Sequence, residues 1–248
     1  FYGIFMTVAI LVGVLVANKV IVKKYSTEES EFFIDSLIYV LIASIFGARA
    51  FYVLGNLDFY LQNKSEIFMI NHGGLSIFGA IFFGILSLII YSKIRKKEVL
   101  KYLDIYALVM PLEQSIGRFG NYFNQEAFGS PVVNNFPIKL FVEENFRPLG
   151  FKNFEFFHPT FLYESALDLI LFVFLISFFL KKVFKEGKAF KGEIFFLYLI
   201  FYSIIRFFIE GIRIDSVLNI FSMPVVQVIC VFVFVISLIL FFILKKRS

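Results

Sequence analysis

The sequence predicts an all-α polytopic membrane protein of about seven transmembrane helices, with a small extracytoplasmic head region. Three observations carry this. Of the 248 residues, 59% are hydrophobic and 38 are Phe, whereas a soluble domain is usually about 45–50% apolar. The apolar residues fall into runs of roughly 20, the length a helix needs to cross about 30 Å of hydrocarbon. Most Lys and Arg lie in four short clusters that follow alternate runs, so the net charge of +5 reflects membrane orientation and no nucleic-acid partner is expected. No linker-like stretch divides the chain, and 1–248 reads as a single integral membrane domain.

The runs can be taken in order. The first, 2–22, is too long for a signal peptide and lacks a small-residue cleavage pattern. It ends in Lys23 and Lys24. The chain opens on Phe1 instead of Met, so a short leader or first segment is expected ahead of it. The second run, 33–54, carries Arg49 near its end. The third begins at the turn Asn71-His72-Gly73-Gly74 and reaches Tyr91, ahead of Lys93, Arg95, Lys96 and Lys97. The fourth, 99–110, is too short to span alone and meets Pro111; it must continue through that proline, kinked or partly submerged. Residues 124–159 hold four prolines and mixed charges, and read as a head insertion on the outer side. The last three runs are 160–180, 194–212 and 223–244, and the final one ends in Lys245, Lys246 and Arg247.

Basic ends follow runs one, three, five and seven. The positive-inside rule places these ends in the cytoplasm, the N-terminus outside and the C-terminus inside. Arg49, Arg118, Arg206 and Arg213 then lie toward the outer face, against the rule, and need another reason to be there. Cys230 is the single cysteine, so no intrachain disulfide or cysteine metal cluster can form. Two isolated histidines, His72 and His158, do not make a metal site, and no cofactor is expected.

Two polar stretches stand out against the apolar background. In 202–213, helical spacing puts Tyr202, Arg206, Glu210 and Arg213 on one stripe. An arginine inside an apolar span usually faces the bundle interior. The other stretch is Gly117-Arg118-Phe119-Gly120-Asn121-Tyr122-Phe123-Asn124-Gln125-Glu126-Ala127-Phe128-Gly129. Arg118, Asn121 and Gln125 share a face if the helix passes Gly120, with Asn124 and Glu126 at its edge. Gly117 and Gly120 let another helix or a headgroup approach the backbone. Two guanidinium forks, Arg118 and Arg206, suit a phosphate. Glu164 and Asp168, four apart at the start of the fifth run, are expected mainly to satisfy nearby arginines. The blander reading of both stretches is internal pairing that locks the fold.

The order of these motifs resembles the bacterial prolipoprotein diacylglyceryl transferase family. The resemblance rests on Gly117-Arg118-x-Gly120-Asn121-x-x-Asn124-x-Glu126-x-x-Gly129. It also covers Tyr2-Gly3, Gly47-Ala48-Arg49 with Tyr52, Gly73-Gly74-Leu75-Ser76, His158-Pro159 with Leu162-Tyr163-Glu164, and Tyr202 with Arg206, Glu210 and Arg213. It implies transfer of a diacylglyceryl group from phosphatidylglycerol to the thiol of a prolipoprotein lipobox cysteine, forming a thioether and releasing glycerol phosphate. The setting implied is the outer face of the inner membrane. Carried over by position, Arg118, Glu126, Arg206 and Glu210 are the expected catalytic residues. Tyr2, Arg49, Gly120, Asn121, Asn124, His158, Tyr202 and Arg213 are the expected substrate-binding residues. In that assignment Glu126 and Glu210 hold the arginines. Family members often carry His, sometimes Tyr, where this chain has Phe78, and Phe cannot accept a proton. A thiol titrates near about 8.5 and is already partly ionised at neutral pH, so the reaction is expected to run without a histidine there. The competing class is a transporter or binder of an anionic lipid or solute without catalysis. It would need a polar pathway reaching both faces, whereas the inner half of each run is nearly all apolar. A scaffold is the third possibility, and its polar stripes should pair fully.

Overall fold

The computed structural model describes residues 2–132, 136–186, 191–214, 219–220 and 223–247. Long helices dominate: α1 (Tyr2–Lys24), α2 (Thr27–Gly55), α4 (Ile77–Ile94), α5 (Val99–Asn124), α6 (Thr160–Phe178), α7 (Glu193–Ile212) and α8 (Val225–Arg247), with a short α3 (Leu57–Gln62) after α2. Six of them are long and apolar enough to cross a membrane. The remaining long helix is α5, which runs for 26 residues with Pro111 inside it. At 1.5 Å per residue it extends roughly 39 Å, so the fourth run does continue through its proline, as its length required.

Most boundaries follow local chemistry. The second span was expected from residue 33, but α2 starts at Thr27. Ser26 explains the difference: its Oγ accepts from the Glu29 amide at 3.3 Å, and Glu28 and Glu29 occupy the first turn, where the helix dipole favours acids. The fifth span begins directly after Pro159 and continues past α6 as π-helical turns over Phe179–Glu186. In the seventh, Met223–Pro224 forms β4, paired antiparallel with β3 (Asn219–Ile220), and the helix begins only at Val225.

The chain divides into two compact units. One is Ile21–Tyr102. Here α2 and α4 pack along a seam of small residues, Gly47 and Ser44 facing Gly79 and Gly84. A Cβ on Gly47 would lie 2.5 Å from that of Phe83, and one on Gly84 would lie 2.5 Å from the Ser44 hydroxyl. Small residues allow this close approach where lipid offers no hydrophobic drive to pair helices. At the other end of the unit Glu29 accepts from Lys97 at 2.8 Å, from Lys101 at 2.6 Å and from the Tyr102 hydroxyl. The Glu28 and Glu29 carboxylates hold the Lys97 ammonium above its usual range.

The other unit comprises Phe1–Val20 and Leu103–Ser248. Its core is Ala107 and Leu108 of α5, Leu171 and Leu175 of α6 with Phe179, and Ile194 and Tyr198 of α7. Asp104 of α5 caps α7, accepting from the amides of Gly192 at 2.7 Å and Phe195 at 2.9 Å. A second core belongs to the head, where β1 (Leu140–Phe141) pairs antiparallel with β2 (Phe156–Phe157) over Phe128, Val142 and Phe161. Exposed Phe and Ile line the helices, as in Phe208, Phe232 and Ile170, each more than half exposed. Such faces suit a hydrocarbon solvent.

Candidate functional site

The polar stretch 117–129 begins inside α5 and ends outside it. Helix geometry holds through Asn124. Gln125 and Ala127 then take positive φ, 50° and 58°, a conformation non-glycine residues adopt at a cost of order 1 kcal/mol. This turns the chain sharply. Gln125 leaves the helical face expected for it, and its Oε1 accepts from the Glu143 amide at 2.7 Å. Glu126 folds back on the last helical turn. Its Oε1 accepts from Asn121 Nδ2 and Asn124 Nδ2, both at 3.2 Å, and its amide donates to the Asn121 carbonyl at 3.1 Å.

Gly129 then inserts between the starts and ends of two other helices. Its amide donates to the His158 carbonyl at 2.8 Å, the His158 amide donates to Ser130 at 3.0 Å, and the Ser130 amide donates to Ile212 at 2.9 Å. A Cβ here would meet Ile212 at 2.8 Å and both His158 and Thr160 at 3.0 Å. Thr160 closes the joint by donating its hydroxyl to the Ala127 carbonyl. The signature therefore links α5 to the start of α6 and the end of α7. His158 belongs to that joint; its Nδ1 meets the Tyr163 hydroxyl at 3.2 Å.

These links bring two arginines to one carboxylate. Arg118 Nη2 pairs with Glu164 Oε1. Arg206 Nη1 lies 3.1 Å from Glu164 Oε2, and its Nη2 lies 2.5 Å from Glu210 Oε2. Glu164 and Glu210 are buried, at 1% and 3% exposure. The arginine side chains keep 21% and 14%, so the arginines are the more accessible partners. A buried carboxylate needs such company, because removing one member leaves an uncompensated charge. Tyr202 lies one turn before Arg206 and stacks on Tyr198 with centroids 5.5 Å apart.

Convergence of Arg118 and Arg206 follows the sequence expectation. The carboxylate between them is Glu164, as expected of a residue read as satisfying nearby arginines; Glu126, also expected to hold an arginine, does not. Arg118 instead pairs with Glu164 of α6, which shares a core with α5 and α7, while the turn at Gln125 directs Glu126 to the asparagines. Glu210 does hold Arg206. Arg213 leaves the stripe expected for 202–213: the helix ends at Ile212, and Arg213 is extended and bridged to Gly129. Tyr2 opens α1, but its side chain lies outside the described residues. Arg49 belongs to the 21–102 unit. There its guanidinium donates to the carbonyls of Glu66 (2.5 Å), Ile67 (2.9 Å), Met69 (3.3 Å), Gly73 (2.6 Å) and Gly74 (2.9 Å). It organises the loop before α4. Gly74, at φ 75°, leaves room for that guanidinium and for Tyr52. Phe78 sits half-exposed in the first turn of α4.

Glu164 was expected only to satisfy nearby arginines, and not to stand at the centre of the site. A carboxylate inside a 19-residue apolar helix was itself the signal. An apolar cleft of about 190 Å³ lies between α7 and α8, lined by Ser203, Phe207, Cys230 and Phe234 among others.

Taken together, fold and site define a polytopic helical membrane protein with two accessible arginines gathered on a shared buried carboxylate. That arrangement can receive an anionic headgroup. The profile of the prolipoprotein diacylglyceryl transferase family matches residues 1–243. The phosphatidylglycerol–prolipoprotein diacylglyceryl transferases of Fervidobacterium nodosum, Finegoldia magna and Thermotoga maritima are 44%, 37% and 41% identical to this chain. Those matches cover 80%, 99% and 84% of it, and 67%, 91% and 70% of the relatives. The chain belongs to the prolipoprotein diacylglyceryl transferase family.

Proposed function

We propose that this protein transfers the diacylglyceryl group of phosphatidylglycerol to the lipobox cysteine of prolipoproteins at the outer face of a bacterial inner membrane. The observation that carries the reading is the pair Arg118 and Arg206 on Glu164. The peptide thiol loses its proton to solvent, and the thiolate attacks the glycerol carbon that bears the phosphate. A C–S bond forms, the C–O bond breaks, and its electrons stay on the departing glycerol phosphate. Charge therefore develops on the leaving group, and its stabilisation is the main catalytic task. Arg118 and Arg206 take the phosphate between their planar forks. Glu210 orients Arg206 from one turn away. Asn121 and Asn124 fix Glu126 at the rim, beside the headgroup. Ser203 and Phe207 flank Arg206 in sequence and line the apolar cleft, so a headgroup at Arg206 leaves an acyl chain alongside α7 and α8. The N-terminus and head lie outside, and the basic helix ends lie in the cytoplasm.

Incubation with phosphatidylglycerol labelled in its acyl chains and a lipobox peptide tests this. The label is expected on the peptide cysteine as a thioether. Movement of labelled lipid with no peptide product would instead mark a lipid carrier.

A further inference from the structure

Asp168 lies one helical turn from Glu164 on α6 and is fully buried. Among the described residues, neither of its carboxylate oxygens has a hydrogen-bond partner. A buried carboxyl left this way is costly, although two arginines stand within electrostatic reach. The groups that act on it are Glu164 of its own helix, Arg118 of α5, and Arg206, Tyr202 and Tyr198 of α7. Behind them, Glu113 of α5 faces Tyr198, and Cys230 of α8 faces Arg206, Glu210 and Glu164. The arginines are engaged by Glu164 and Glu210, so Asp168 is a spare carboxyl beneath a closed clamp.

The phosphate role of the arginines makes use of that spare group. For both forks to grip a phosphate, the two Glu164 oxygens must yield them. Glu164 would then be a buried carboxylate with no cation. At rest two arginines balance Glu164 and Glu210; an arriving phosphodiester adds one negative charge, and the clamp cannot carry it with Glu164 stranded. We propose that Asp168 is a positioning residue that receives Glu164 when phosphate takes the arginines, the two carboxyls closing on one shared proton. Two carboxyls at i and i+4 are near enough to meet, and in a buried setting such a pair holds a proton in common. Binding thus exchanges one set of contacts for another: arginine–Glu164 becomes arginine–phosphate plus Glu164–Asp168. No bond is made or broken beyond hydrogen bonds, and Asp168 brings the proton that Glu164 accepts. When glycerol phosphate leaves, Glu164 returns to the arginines. This inference rests on the phosphate site proposed above.

The sign of the pH effect follows. As pH rises and Asp168 loses its proton, it can no longer donate to Glu164, the two adjacent carboxylates repel, Glu164 stays on the arginines and phosphate binds less well. The phosphodiester of phosphatidylglycerol keeps one charge across this range, so the ligand itself does not titrate. The test is binding of a short-chain phosphatidylglycerol to the intact protein in detergent, measured from pH 6 to about 9.5. The wild type is expected to lose about tenfold in affinity across the alkaline half. Asp168→Asn keeps a donor for Glu164 but has nothing to titrate, so its alkaline loss should disappear. Asp168→Leu, with no donor, should bind at least about tenfold more weakly at every pH. One common pH curve for wild type and Asp168→Asn, or full affinity in Asp168→Leu, overturns the proposal while leaving the phosphate site intact. Should the leucine variant fail to fold, the wild-type and asparagine curves decide alone. A wild type that binds no phosphatidylglycerol at any pH overturns the phosphate site itself, and this inference with it.

Discussion

Arg118 and Arg206 reach one buried carboxylate from two different helices, and that geometry suits them to a bidentate anion better than to each other's company. A surface ion pair is worth little, but a buried one is costly to break from either side. Glu164→Gln would leave the guanidinium groups with one negative charge too few, at a cost of about 3–5 kcal/mol. Its thermal midpoint in detergent should fall. Added phosphatidylglycerol supplies the missing anion and should raise that midpoint by more than it raises the wild type's. Equal shifts would mean that the lipid does not reach these arginines. Arg49 is a contrasting case. In sequence it looked like the other outer-face arginines, yet its donors order the backbone of 66–74. Arginine in an apolar span signals a polar partner, and nothing in the residue itself says whether that partner is a ligand or a carbonyl.

At the scale of elements, Gly129 holds the site together. It joins the turn after α5 to the start of α6 and the end of α7, where a Cβ would meet three neighbours at 2.8–3.0 Å. Gly129→Ala should cost about 1–3 kcal/mol by overpacking and should lower transfer activity by separating α6 from α7. A variant with wild-type stability and rate would show that the joint has slack. The long helices were legible because lipid imposes a simple rule of length and apolarity. The passage of α5 through Pro111 followed from the same rule, since 99–110 alone was too short to span. Less legible were the ends. The sharp turn at Gln125 and Ala127 needs positive φ at residues that carry no glycine signal, so Gln125 and Glu126 were placed on a helix that had already stopped. Arg213 was misplaced for a similar reason: the stripe 202, 206, 210 continues on paper to 213, but strand-like pairing with Gly129 ends the helix first. Such pairing depends on residues more than 80 apart in sequence, beyond the reach of any local period.

For the whole molecule, the claim is orientation. In the topology we propose from the basic ends on alternate helices, Lys93 lies inside and Leu149 outside. Because the chain's one cysteine is buried, single reporters can be read cleanly. Leu149→Cys, at a site 89% exposed, should react in intact cells with a membrane-impermeant maleimide. Lys93→Cys should react only after the membrane is opened. The reverse pattern would invert the topology and put the arginine clamp on the wrong face for a lipobox cysteine emerging outside. In that proposed orientation the arginines sit against the positive-inside rule, as expected if they answer to a ligand while the lysine-rich ends answer to the membrane.

The proposed phosphate clamp depends on the planar fork of Arg206, which charge alone cannot replace. Arg206→Lys preserves the cation, and a lysine can still meet Glu210 four residues on, but it cannot grip phosphate with two parallel donors. In a steady-state assay with phosphatidylglycerol and a lipobox peptide, the variant is expected to fold, to bind peptide as before and to lose about 10²-fold in kcat, the scale of one lost charge-stabilising donor. Full transfer by a folded Arg206→Lys protein would contradict the phosphate clamp.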